Sequence, residues 1–572
     1  MATDYLEEII GAAKSVKESA PKQEQAEQKT EEKKTEELKI VNSDEEKKKP
    51  EELEEELARE IKTKDMEQLT KEEQKEPQKN DIEKELEETK KVEVKSYGKV
   101  KIYKVPGKAL AYYFVPTIRP TSVERKIINT LKEATTRLIS IAPYKIRNPE
   151  ERRVIYKQKI MEIIRNNPPL KIPESRVSFY AEAVVREMVG YGLIDDLIKD
   201  DALEEIMIVG PLKPVYVFHR EFEMMITNIE FYSEQEIEDV VNRIAREVGR
   251  RVDVSSPLLD ARLADGSRVN ATIPPASISG GTITVRKFRQ DPYSIIDLIR
   301  MGTLNSEAAA FLWLCVDGMN TKPANMLISG GTGSGKTTLL NVLASFVPER
   351  ERVITIEDTA ELNLPIKHWI RLEAKPPGIE GTGELRLDIL TKNSLRMRPD
   401  RIIVGEVRHE EAFTMFTAMN TGHDGVMGTV HANSPEETLI RLTNPPMNVP
   451  RVMMSGLDII IVEHRYYDRK KGTIRRVSEI AEVYGAMDSN PKTQIIFQRD
   501  AAKDELERTL IESRYLKVLQ NFTAMGKEKI EAEIISRKNF LDQLVERNIR
   551  DLTEVSEKAK KFIEEKKMTR DE

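Results

Sequence analysis

The sequence predicts an α/β protein in which a largely parallel sheet domain follows an α+β domain and leads into a helical C-terminal region. Three observations predict it. Between residues 291 and 500, short apolar runs alternate with helix-length amphipathic stretches, the rhythm of a parallel sheet covered on both faces. One strand-to-helix junction in that region is a glycine loop, 330–337. From 92 to 290, helices and short strands mix without that regular rhythm, as in an α+β domain.

The chain has 572 residues, 33% charged and 39% hydrophobic, which is too long for one core and fits two or three domains with tails. With 91 basic and 98 acidic residues, the net charge of -7 argues against a dedicated nucleic-acid binder. No apolar run approaches the ~18–20 residues of a membrane span. The first residues lack the basic start and long apolar stretch of an export signal, so a cytoplasmic location is expected. The single cysteine, Cys315, lies in the run Phe311-Leu312-Trp313-Leu314-Cys315 and reads as a buried small hydrophobe. One cysteine excludes an internal disulfide and a multi-thiolate zinc site.

Residues 1–91 read as a disordered tail, because a stretch dominated by Glu, Lys, Gln and Thr cannot bury enough apolar surface to offset its entropy. Tyr5, Ile9, Ile10 and Val16 leave room for a short amphipathic helix at its start. The α+β domain, 92–290, opens with a hairpin around Tyr97-Gly98. Helices are expected at 122–141, up to 164, and at 177–188. Strands follow near 206–208 and 215–217, then a helix at 234–246, and strands at 261–263, 268–273 and 282–286. In the parallel-sheet domain, 291–500, strands are expected at 326–329, 353–356, 402–404, 426–430 and 459–462, with helices at 308–316, 336–345, 385–395 and 410–419. From 501 to 572, apolar residues recur at helical spacing.

The chemistry begins at Gly330-Gly331-Thr332-Gly333-Ser334-Gly335-Lys336-Thr337, which matches G-x-x-x-x-G-K-[ST] between a strand and a helix. Such glycines let backbone N–H groups curl around phosphate oxygens, and the following helix adds its positive end. Lys336 then reaches the β- and γ-phosphates, Thr337 is placed to ligate Mg²⁺, and Thr338 completes the binding segment. Arg401-Ile402-Ile403-Val404-Gly405-Glu406 is an apolar strand ending in a carboxylate that orients a water or holds Mg²⁺ through one. Gly405 stands where an Asp would end the usual run. Ile354-Thr355-Ile356-Glu357-Asp358 ends in two carboxylates, either of which can reach the site, although Asp358 has the alternative of capping the next turn. Thr421-Gly422-His423-Asp424-Gly425 and Gly428-Thr429-Val430-His431-Ala432-Asn433 place two histidines in Gly/Thr-rich sequence, and His431 closes a strand.

The order of glycine loop, Ile-Glu-Asp box, Gly-Glu strand and Thr-Val-His-Ala-Asn box resembles the type II/IV secretion and pilus-assembly ATPase superfamily, most closely its archaeal archaellum and type IV pilus branch. The resemblance covers roughly residues 175 to 485. It implies a RecA-like P-loop NTPase domain, ATP and Mg²⁺ as ligands, Glu357 in an acidic box near the catalytic water, Glu406 in the Walker B box, and His431 in a nucleotide-sensing box. It further implies arginine fingers. Asp265-Gly266-Ser267-Arg268 and Thr284-Val285-Arg286 resemble the segments that carry them, whereas from the residues alone Arg268 and Arg286 read as solvated edge-strand arginines. A cytoplasmic homo-hexamer is implied, held at the inner face of the cell membrane by a polytopic platform protein and by pilin or archaellin machinery. The linker near 290–293 would be its hinge. Many bacterial relatives carry a four-cysteine zinc module, which a chain with only Cys315 lacks. Two other readings stay open: a conjugation-type DNA-transfer ATPase, against which the scarcity of aromatics around Arg396, Arg398, Arg401 and Arg408 counts, and a nucleotide-binding scaffold without turnover.

Overall fold

The computed structural model describes residues 80–116, 120, 122–138, 149–166, 172–289, 291–375, 382–468, 472–485 and 490–571. Most of the expected tail, up to residue 79, lies outside the described residues, as does the short helix expected near its start. The end of that tail differs from expectation: Asp81–Glu88 is helical. Asn80 caps it by accepting the Glu83 N–H at 2.9 Å, and Leu86 is buried.

Along the chain, β1 (Val92–Tyr97), β2 (Val100–Lys104) and β3 (Ala111–Phe114) precede helices α1 (Ser122–Leu138), α2 (Pro149–Arg165) and α3 (Glu174–Met188). Then come β4 (Leu203–Ile208), β5 (Pro214–His219), β6 (Glu223–Glu230), α4 (Glu234–Glu247), β7 (Leu258–Arg262), β8 (Arg268–Thr272) and β9 (Thr282–Arg286). The described residues form two units, one of 80–85 with 116–195 and the other of 86–115 with 196–571. In the first, α1, α2 and α3 pack around Ile128, Leu131, Tyr156, Ile160 and Val184. In the second, the first sheet runs β1-β2-β3-β6-β5-β4-β9-β8-β7, antiparallel except where β3 meets β6. β7 begins at Leu258, three residues before the expected strand, because its ladder with β8 starts at Leu258↔Thr272.

The second sheet follows α5 (Ile295–Arg300) and α6 (Ser306–Asp317). Its elements are β10 (Met326–Ser329), α7 (Lys336–Ala344), β11 (Val353–Glu357), β12 (Trp369–Glu373), α8 (Leu387–Ser394), β13 (Arg401–Val407), α9 (Glu411–Asn420), β14 (Met427–Val430), α10 (Pro435–Thr443) and β15 (Ile459–Asp468). β16 (Gly472–Tyr484), β17 (Lys492–Asp500) and β18 (Glu505–Arg508) complete it, in the order β12-β11-β13-β14-β10-β15-β16-β17-β18. Every pairing from β12 to β15 is parallel, and those from β15 to β18 are antiparallel. The parallel strands read as continuous apolar runs because both faces are covered. Met326, Ile328, Val353, Ile403, Met427, Ile459 and Ile461 join a core with α6 and α7. Their neighbours Leu327, Ile354, Ile356, Ile402, Val404, Ile460 and Val462 join a core with α9 on the opposite face.

Helices α11 (Arg514–Thr523), α12 (Lys527–Glu546) and α13 (Leu552–Asp571) end the chain. The helical region expected from 501 therefore starts later, since Glu505–Arg508 is a strand that pairs with β17. α6 is buried at every residue but Glu307, capped by Asn305 and ended by the left-handed Gly318. Cys315 is buried within it, and burial pushes its thiol up. Arg537 of α12 reaches Asp317 at the end of α6 (3.0 Å) and Glu533 one turn back (2.7 Å), with its guanidinium over Trp313. Among the described residues no helix is long and apolar enough to cross a membrane.

Removing one member of a buried ion pair leaves the other charged and unpaired. Arg537→Met is therefore expected to cost about 3 to 5 kcal/mol, read as a fall in the urea midpoint of unfolding. A midpoint unchanged from wild type would show that the Arg537–Asp317 pair does not hold α12 on α6.

Candidate phosphate-binding site

The parallel strands place the C-terminal ends of β10, β11, β13 and β14 along one edge of the sheet, where ligands of open α/β sheets bind. β10 ends at Ser329 and passes directly into the glycine loop. In that loop Gly335 has φ +114, and a β-carbon there would lie 2.5 Å from Glu463 Oε1. A β-carbon on Gly330 would collide with the Glu463 carbonyl and with Ser334. Only bare backbone fits, which leaves a cradle facing the start of α7. Lys336, the first residue of α7, turns back over it and donates to the carbonyls of Gly330 (2.9 Å) and Gly331 (3.0 Å). Burial lowers its ammonium, while Glu406 and Glu463 pull the other way.

A cleft of about 910 Å³ runs from this loop to the edge of the first sheet. Thr332, Gly333, Gly335, Lys336, Thr337 and Thr338 line it, together with Glu406 and His431. Arg268 and Arg286 line it too. They stand directly opposite each other across the β8–β9 ladder, and both point at Glu361 Oε1, at 3.3 and 3.8 Å. Glu361 was not singled out in the sequence; its only signal is a third carboxylate four residues after Glu357. Nearby, Arg262 pairs with Glu373 (3.0 Å) and donates to the Ala360 carbonyl (3.2 Å).

Glu357 does not line this cleft. It ends β11 buried, and its Oε1 accepts the N–H groups of Glu361 (2.8 Å) and Leu362 (2.9 Å). Its Oε2 is buried without a hydrogen-bond partner. Burial pushes the carboxyl up to about 7 against the pull of those two N–H groups. The glycine before Glu406 has a physical reason: a β-carbon on Gly405 would meet Glu357 Cγ at 2.9 Å. One residue further, Glu406 pairs with Arg408 at 2.6 Å, and Arg408 also reaches Asp358 at 3.6 Å. Asp358 thus answers Arg408. Arg408, read in the sequence only as a basic residue, joins the two acidic boxes. His409, Arg441 and Arg475 also line the cleft. Of the two histidines in the Gly/Thr-rich stretch, His431 faces it and His423 is not among its lining residues. Ser334, Gly330 and Gly331 lie behind the lining and shape the loop. Gln290 of the expected hinge lies outside the described residues, and next to it Arg289 stacks on Tyr293 at 3.5 Å.

The cleft thus offers a cradle of bare backbone and ten lysine and arginine side chains, Lys336, Arg268, Arg286, Arg441 and Arg475 among them, which suits a polyphosphate. Thr337 and Glu406, which both line the cleft, supply hard oxygen donors of the kind Mg²⁺ takes.

The profile of the family described as type II/IV secretion system protein matches residues 187–538, more than half of the chain. An uncharacterised protein of Methanocaldococcus jannaschii is 52% identical over 239 residues, 41% of this chain and 33% of that protein. The match thus spans a third of that relative's length. A second uncharacterised protein of the same organism is 34% identical over 399 residues, 68% of this chain and 71% of that protein. A putative conjugal transfer protein of Mycobacterium tuberculosis is 35% identical over 262 residues, 45% of this chain and 73% of that protein.

The Glu357 carboxyl supplies a test of the site's electrostatics. Its folded value, about 7, lies above the ordinary 4.5, so the stability tied to its proton is complete below 4.5 and lost as pH rises through 7. Relative to Glu357→Gln, wild type should lose about 3 kcal/mol between pH 4.5 and 8, followed by urea denaturation of both proteins at each pH. Parallel pH profiles for the two proteins would mean that Glu357 is ionised in the fold throughout this range.

Proposed function

The chain belongs to the type II/IV secretion system protein family, and we propose that it is an ATP-hydrolysing motor of that family that drives assembly or rotation of an archaellum or type IV pilus-like filament. The observation that carries this reading is the convergence, in one cleft, of the glycine loop, Glu406, His431 and the paired arginines of β8 and β9.

The bare cradle at Gly330 and Gly335 and the cations around it fit a nucleoside triphosphate, with Lys336 placed to leave the loop carbonyls for phosphate oxygens. Thr337 and Glu406 would hold Mg²⁺, directly and through water; when bound, that ion neutralises charge on the phosphates. Glu357, poised near neutrality, is the group suited to take a proton from an attacking water. It lies one layer behind the lining, so the 358–362 segment would have to shift before it acts. Glu406, held by Arg408, orients the water, and His431 at the end of β14 reports the state of the same cleft. Arg268 and Arg286 would exchange Glu361 for phosphate oxygens and stabilise charge on the transferred group. Because the two guanidiniums are half exposed, their hold on Glu361 is worth about 1 kcal/mol or less each, which a phosphate outcompetes.

That exchange would move the β7–β9 edge of the first sheet against the second sheet in each cycle, and a homo-hexamer at the inner face of the cell membrane would pass the motion to a polytopic platform protein and to pilin or archaellin machinery. Transfer of DNA by a conjugation-type relative is the second reading. The match to a putative conjugal transfer protein favours it.

In a phosphate-release assay, Lys336→Ala and Glu406→Ala are each expected to lower kcat about a hundredfold or more, and Arg286→Ala at least about a thousandfold. Wild-type turnover in either of the first two variants would remove the site from the reaction. Turnover stimulated by single-stranded DNA, and not otherwise detectable, would favour the second reading over the filament.

A further inference from the structure

The floor of the glycine loop holds a carboxyl that the reaction described above does not use. Glu463 lies on β15 where the ladder with β16 shifts register, between Val462 and Glu463. The irregularity places its side chain under the loop, 2% exposed. Its Oε1 lies where a β-carbon of Gly335 would come within 2.5 Å. Its Oε2 is buried without a hydrogen-bond partner, and so is Ser334 Oγ in the loop above. Two orphaned polar atoms at the base of a phosphate loop are costly to leave unpaired, so the site calls for a role.

The charged groups that face this carboxyl come from three elements. Lys336 comes from α7 and Arg475 from β16, where Arg475 Nε donates to the Gly333 carbonyl at 2.9 Å. On β15 itself, Arg465 lies 3.0 Å from the position of a Gly333 β-carbon. Glu406 acts on the site through Lys336. Burial outweighs the pull of Arg475 and Lys336 and pushes the carboxyl up to about 8.

We propose that Glu463 is a positioning residue for the phosphate loop and that the loop accepts phosphate only while Glu463 carries a proton, so that nucleotide binding takes up a proton at alkaline pH. The inference rests on the reading of the loop as a phosphate site. The physical reason is one of sign. Ionised, Glu463 sets a buried negative charge directly behind the backbone N–H groups that attract phosphate, and it competes for Lys336. Neutral, it leaves both to the ligand and can donate its O–H upward to the loop. The titration is linked to binding because a ligand that binds one protonation state shifts the other.

The test is the binding of a fluorescently labelled ADP, with Mg²⁺ held constant, to the full chain at pH 7, 8 and 9. The wild-type Kd should weaken about tenfold between pH 7 and 9, and that of Glu463→Gln less than about twofold. Each ratio is taken within one protein, so a uniform loss of affinity in the variant does not disturb it. A tenfold change that persisted in Glu463→Gln would assign the titration to Lys336 and overturn the proposal. Calorimetry of the wild type in two buffers of different ionisation enthalpy gives a second reading that needs no variant: about 0.8 proton should be taken up per ADP at pH 8.5, and none would overturn it. Wild-type protein that bound no ADP at any pH would sink the phosphate-loop reading together with this inference, whereas tight binding with a flat pH profile would sink this inference alone.

Discussion

Everything at the site depends on the parallel register of five strands. Ser329 pairs with Val430 on one side and with Val462 on the other, and Ile356 pairs with Val404, so the strands end nearly level. The glycine loop, Glu357, Glu406, His431 and Glu463 are scattered over more than 130 residues of sequence and yet meet because each lies at or just past the end of a parallel ladder; Glu463 follows Val462, the last residue of β15 paired with β10. Register is costly to change here. A one-residue slip in β13 would turn Ile402 and Val404 from one buried face to the other and carry Glu406 away from the cleft. The apolar cores on the two faces therefore fix the site, although few of their buried residues, Leu298, Val407 and Met447, line the cleft.

The second dependence is electrostatic. The cleft gathers more cationic than anionic side chains, and the fold answers the cations in and beside it with carboxylates from a loop and from strand ends: Glu361 for Arg268 and Arg286, Glu373 for Arg262, Asp358 and Glu406 for Arg408. All but Glu406 belong to the stretch that follows β11, between Asp358 and the end of β12. That stretch also supplies the N–H groups that hold Glu357. One short loop thus links the edge of the first sheet to the buried carboxyl of the second. A phosphate that drew the arginines from Glu361 would act on the same segment that covers Glu357, which on the proposed reading would couple arrival of phosphate to exposure of Glu357.

The sequence made the second sheet largely legible because strands buried on both faces read as apolar runs, and the glycine loop fell between one such run and a helix. β16, β17 and β18 escaped because their alternating residues include many charges: Arg475, Arg476, Glu479 and Glu482 in β16 alone. Residues whose partners are local in motif space, Lys336, Glu357 and Glu406, could be found by spacing. Glu361, Arg408 and Glu463 could not, since each owes its position to a contact made across strands or between sheets. Glu463 ends the run Ile459-Ile460-Ile461-Val462, where a carboxylate normally marks the emergence of a strand into water. Here the register shift keeps it inside.

Glu357 and Glu406 show why two carboxylates one strand apart need not share a task. β11 and β13 are neighbours, yet the loop after β11 folds over Glu357 while Glu406 meets the guanidinium of Arg408. Burial leaves Glu357 able to change protonation near neutral pH, and the pair with Arg408 holds Glu406 in place. Gly405 is what permits the difference. A β-carbon there would come within 2.9 Å of Glu357 Cγ, and Glu357 would have to leave the position in which the Glu361 and Leu362 N–H groups hold it. On the proposed reading, proton transfer and water positioning fall to separate residues because a single glycine keeps their environments apart.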